Sequence, residues 1–141
     1  MSFIDSIKTC FGKYATFSGR ASRSEFWWFV LFIVVMQVVL SYVDTAVFGA
    51  REVVMLTTES AMETGMSFEF NYRPQPITGI FLLATLLPYL AVGARRLHDG
   101  GRSGWWWLIG LIPMIGWIVL LVFFIPKGNE GDNQYGSDPL A

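Results

Sequence analysis

The chain has 141 residues, 53% of them hydrophobic and 15% charged, with a formal net charge of −1. So little polar chain weighs against a soluble bundle whose helices are apolar on every face, and no nucleic-acid partner is expected, though the net charge itself says little about partners. A single cysteine, Cys10, excludes an intramolecular disulfide.

In chain order, residues 1–25 read as a cytoplasmic amphipathic segment. Phe3, Ile4, Ile7, Phe11 and Tyr14 recur at helical spacing with Lys8 and Lys13 between them, the pattern of a helix lying in the membrane interface or packing on a bundle. Charges at Asp5, Lys8, Lys13, Arg20, Arg23 and Glu25 do not fit a secretory signal. Ser22 through Glu25 reads as a capping box, in which the serine side chain takes up an early helix amide, so the first membrane helix is expected to begin there.

Uncharged apolar runs then occupy residues 26–43, 77–94 and 104–126. Each approaches or exceeds the roughly 20 residues that an α-helix needs to cross hydrocarbon. The expected fold class is therefore an all-α membrane protein, a bundle of three transmembrane helices in a single domain. Residues 44–76 form an outer acidic loop with Asp44, Glu52, Glu59, Glu63 and Glu69. Within it, Arg51–Glu63 is compatible with a short helix, and the alternation of Met66, Phe68, Phe70 and Tyr72 with polar residues suggests a strand. Residues 95–103 form an arginine loop, and residues 127–141 a turn-rich tail whose default expectation is disorder.

Lys and Arg alternate in density along these segments: Lys8, Lys13, Arg20 and Arg23, then Arg51 and Arg73, then Arg95, Arg96 and Arg102, then Lys127 alone. By the positive-inside rule the N-terminus and the arginine loop are cytoplasmic, with the acidic loop and the tail outside. A third run bent at Pro113 into a hairpin would instead return the tail to the arginines. Trp27, Trp28, Trp105, Trp106 and Trp107 are expected at the headgroup boundary as anchors.

The candidate binding residues are Arg20, Arg23, Arg95, Arg96, Arg102 and Ser103, because guanidinium grips phosphate and the start of a helix favours negative charge. The nearest anions at that depth are lipid headgroups. Glu25, His98 and Asp99 read as structural: Glu25 pairs with Arg95 or Arg96, Asp99 offsets one arginine of the turn, and His98 hydrogen-bonds there. One histidine and one distant cysteine supply too few ligands for zinc, so no metal and no cofactor is expected. Gln37, Ser41 and Asp44 make a polar stripe on the first span, echoed by Thr78, Thr85 and Tyr89 on the second. These groups serve interhelical hydrogen bonding or, in an oligomer, a conduction path.

Three pieces together resemble the bacterial inner-membrane family catalogued as domain of unknown function 805, also called YhaH-like. They are Gly19 to Trp28, Arg95 to Trp106, and Gly131 to Pro139. The resemblance implies a small multi-pass protein of the bacterial cytoplasmic membrane without an established activity, and an ordered tail packed as a turn on the bundle. Function is accordingly expected to be that of a non-enzymatic module in the lipid bilayer, binding anionic lipid, itself as a homo-oligomer, or a membrane-protein partner through the arginine cluster. The alternative is a subunit of an oligomeric small transporter or channel.

Overall fold

The computed structural model describes residues 1–49, 52–56, 68–72 and 75–141. Helix α1 spans Phe3–Gly12, α2 Arg23–Phe48 and α3 Pro76–Asp99, and α4 spans Ile115–Phe124. A 3-10 helix over Gly104–Leu111 precedes α4, and strands β1 (Glu52–Leu56) and β2 (Phe68–Tyr72) lie between α2 and α3. The chain divides into two compact units, one of residues 1–35 with 83–141 and one of residues 36–82. Among the described residues, α2 and α3 are the two helices that are long and apolar enough to cross a membrane.

In the larger unit, the sequence of α1 starts with Ser2, whose hydroxyl accepts from the amide of Asp5. The helix then packs on the first turns of α2 through edge-to-face contacts of Phe3 with Trp28 and of Phe11 with Phe29 and Phe32. Ser22 stands before α2 and accepts from the Glu25 amide at 3.2 Å. Phe26 and Phe29 are buried in a core with Val92, Leu97, Leu120 and Phe124. Leu31, Val34, Leu83 and Leu86, by contrast, are exposed, as side chains solvated by lipid would be.

In place of the single helix expected over residues 104–126, the third apolar run folds back on itself. Pro113 cannot donate to a helical ladder, and Met114 next to it takes φ 63, so the axis turns between Leu111 and Ile115. Glycines let the two arms approach. A methyl at Gly116 would collide with the carbonyl of Ile109, Gly110 lies against Leu120, and Trp117 Nε1 donates to the Gly110 carbonyl at 3.0 Å. A methyl at Gly93 would strike the indole of Trp107, which lies flush on α3 at that point. At about 1.5 Å per residue, the ten residues of α4 extend about 15 Å, half of a hydrocarbon layer.

In the smaller unit, β1 pairs antiparallel with β2 from Glu52 opposite Tyr72 to Leu56 opposite Phe68. The short helix expected in Arg51–Glu63 is thus corrected to a strand over Glu52–Leu56. Val53 and Val54, branched at Cβ, favour the extended chain, and β2 supplies the partner. The remainder of that expectation, residues 51 and 57–63, lies outside the described residues. Asp44, fully buried near the end of α2, accepts from the amides of Ile77 (3.0 Å) and Thr78 (2.8 Å) and from the Thr78 hydroxyl (2.6 Å). It caps α3 from a different helix, satisfying donors that no residue within α3 reaches.

Asp44→Ala removes the acceptor of those three bonds, whereas Asp44→Asn keeps one oxygen able to accept. In detergent, thermal unfolding of D44A is expected several degrees below the wild type and that of D44N in between.

Candidate functional site

The final turn of α3 carries Arg95, Arg96, His98 and Asp99, so the expected loop over residues 95–103 is helix as far as Asp99 and turn only from Gly100. Around this turn converge the segment before α2, the end of α4 and the tail. Asp99 is 4% exposed and lies between two guanidiniums. Arg20 Nε donates to its Oδ1 at 3.0 Å, and Arg96 Nη1 donates to Oδ2. Arg95 Nη1 pairs with Glu25 Oε1 at 2.5 Å, with Arg95 1% and Glu25 3% exposed. Three cations face two carboxylates, and the remaining positive charge is solvated by backbone carbonyls. Arg20 donates to Asn129, Gly131 and Gly136, and Arg96 to Ala21, Phe124 and Pro126.

The carbonyls of Phe124 and Pro126 come from the end of α4, where helical acceptors lack partners and the dipole is negative, so Arg96 acts as a cap supplied by another helix. His98 is fixed by three partners. Its Nδ1 bonds the Gly19 carbonyl at 3.0 Å, its own carbonyl accepts from Asn133 Nδ2 at 2.9 Å, and its ring stacks on Tyr135 with centroids 4.1 Å apart. Asn129 donates its amide to the carbonyl of Asp99 at 2.7 Å, and a methyl at Gly128 would collide with the Asp99 carboxylate. The tail is thus an ordered hook. Within it Asn133 and Gly136 bridge, and the Asp138 carboxylate accepts from Gly131 and Leu140. Those amides, Leu140 and then Gly131, hold the Asp138 carboxyl below the usual range.

The candidate arginines therefore do not form one surface patch. Arg20, Arg95 and Arg96 are enclosed at 6%, 1% and 1% exposure, whereas the sequence grouped all five arginines as binding anionic lipid or a partner. Arg102 is half-buried, its guanidinium 4.2 Å above the Phe123 ring. Ser103 caps the 3-10 helix by accepting from Trp105. Arg23 alone of the five is exposed, and it has no hydrogen bond or ion pair among the described residues. The tail carbonyls and the Asn133 amide are contacts of this site that residue chemistry could not single out, since a backbone acceptor has no signature in sequence.

Next to the Glu25–Arg95 pair lies Cys10, fully buried with Sγ 3.9 Å from Glu25 Oε1. Burial, and then the charge of Glu25, push its thiol up to about 12. Arg95 Nε and Nη2 lie buried beside it without acceptors among the described residues. No three His, Cys, Asp or Glu side chains among the described residues group as metal ligands do.

A family model described as "Protein of unknown function (DUF805)" matches residues 14–137, which take in every member of the Arg20–Asp99–Arg96 network. Inner membrane protein YhaI of Escherichia coli (strain K12) is 38% identical over 127 residues, covering 90% of this chain and 88% of its own. Inner membrane protein YhaH of the same strain is 37% identical over 127 residues, 90% of this chain and 89% of its own. No solved structure matches.

Glu25→Gln leaves Arg95 a buried cation without a counter-ion, and a loss of about 3–5 kcal/mol in chemical denaturation is expected. The swap of Glu25→Arg with Arg95→Glu should recover part of it, and a swap no better than the single change would count against the pair. With its ionisation moved to about 12, the Cys10 thiol is thiolate in only about one molecule in ten thousand at pH 8. Maleimide should accordingly leave Cys10 unmodified in the folded protein and modify it once the protein is denatured.

Proposed function

The chain belongs to the DUF805 family, whose relatives are inner membrane proteins, and from that premise we propose that it is a non-enzymatic module of the bacterial cytoplasmic membrane that holds an anionic phospholipid against the start of α2. The observation that carries this reading is Arg23, the exposed arginine left without a partner when Arg20, Arg95 and Arg96 turn inward. It stands at the mouth of a groove of about 580 Å3 with Ser24, Trp27 and Trp28, and the groove continues over Leu31 and Ile125. A phosphate seated on Arg23 would also meet the positive end of α2, while an acyl chain follows the apolar floor and the indoles mark headgroup depth.

The assignment of this face to the cytoplasm rests on charge. With the tail hooked onto Arg20, residues Lys8, Lys13, Arg23, Arg102 and Lys127 belong to the side where α2 begins and α3 ends, which the positive-inside rule directs inward. Two crossings, by α2 and α3, fit that arrangement. The reading without catalysis is supported by the state of the acids: Glu25 and Asp99 are both engaged by arginines.

Native mass spectrometry of protein released from vesicles containing phosphatidylglycerol tests the reading. Wild type should retain the anionic lipid, and Arg23→Gln should lower its retention about tenfold, the weight of one charge-assisted contact. Retention equal to wild type in R23Q would overturn the proposal.

A further inference from the structure

In the smaller unit the side-chain amide of Gln37 is left unanswered among the described residues. Asp44 binds the start of α3, Ser41 Oγ accepts from Gln75 Nε2 at 3.1 Å, and the Thr45 hydroxyl donates to the Ser41 carbonyl at 2.8 Å. Gln37 has no hydrogen bond among the described residues. It lies near the middle of α2, about 21 Å from the start and about 17 Å from the end of a 26-residue helix, a depth at which the bilayer offers no water. An amide left there without partners is costly, because lipid tails neither donate nor accept. Beside it runs a groove of about 510 Å3 lined by Val38, Ser41, Tyr42, Thr45 and Gln75, with Val38 53% and Tyr42 74% exposed.

We propose that this groove is a self-association surface, in which α2 of a second copy of this chain packs on α2 and the two Gln37 amides bond to each other. An amide carries one acceptor and two donors, so the same group related by a two-fold axis along the membrane normal is its own complement, with N–H···O bonds in both directions. Ser41 and Thr45 are small enough to let two such helices approach, and neighbouring hydroxyls add acceptors. A soluble partner cannot reach this depth, and an anionic headgroup belongs at the opposite end of α2.

The test is energy transfer between donor-labelled and acceptor-labelled full-length chains in phosphatidylcholine vesicles, across a range of protein-to-lipid ratios. The absence of anionic lipid keeps the outcome independent of Arg23. Wild type should show saturable transfer above that of random proximity, and Gln37→Leu should raise the apparent dissociation constant about tenfold, as loss of a reciprocal pair of interhelical bonds implies. Leu83→Ala, a change on a 72% exposed side chain of α3 outside the groove, should leave association as in wild type. The proposal is overturned by transfer no greater than random proximity at every density, by a Q37L variant that associates like wild type, or by an L83A variant weakened as much as Q37L. Equal helical circular dichroism for all three proteins is the expected control, since leucine favours a helix at least as well as glutamine.

Discussion

A carboxylate enclosed between two guanidiniums sets the terms for the larger unit. Asp99 joins Arg20 from the segment before α2 to Arg96 of its own helix, and both arginines extend to carbonyls of the end of α4 and of the tail. Taking such charges out of water costs several kcal/mol per ion unless every donor is matched. The matching here comes from backbone oxygens that only one course of the chain delivers. The network therefore does more than attract. It selects the path on which Phe124, Pro126, Asn129 and Gly131 come back to the last turn of α3.

That constraint explains why an apolar run long enough to cross the membrane does not do so as one helix. A straight helix over residues 104–126 would carry the carbonyls of Phe124 and Pro126 away from Arg96 and leave a buried cation without acceptors. Pro113 and the positive φ of Met114 supply the turn, and Gly110 and Gly116 let the arms close. Trp107, seated on Gly93, fixes the first arm to α3. The result is a hairpin whose ends lie at one level, with the ion pairs at its base and the exposed apolar side chains of Leu111, Ile115 and Ile118 toward its turn.

Much of this was legible in the residues, and the illegible parts have a common cause. Helices α2 and α3 followed from two apolar runs, each extended at its charged end because capping and burial carry a helix past the last apolar residue: Ser22 starts α2 at Arg23, and the ion pairs hold α3 helical to Asp99. Hydropathy alone made the third run look like its neighbours, since a folded hairpin and a straight span have the same composition, and only Pro113 between Gly110 and Gly116 pointed to the bend. Arginines of one sign look in sequence like a surface that attracts anions. Their burial depends on acceptors contributed by the backbone of a distant tail, which no residue type reveals. The strand over Glu52–Leu56 likewise required knowing that β2 would lie beside it. The resemblance of residues 131–139 to a family motif was the one sequence signal that the tail is structured.

Whether the tail and the N-terminal segment share a face of the membrane is the most direct question the network poses. Single cysteines at Ser2 and Ser137, each in a Cys10→Ser background, can be probed with a membrane-impermeant maleimide in sealed vesicles of known orientation. The Arg20–Asp99–Arg96 network predicts that both positions are labelled from the same side. Labelling of Ser137→Cys only from the side opposite Ser2→Cys would mean that residues 104–126 cross the membrane once, and would contradict the account.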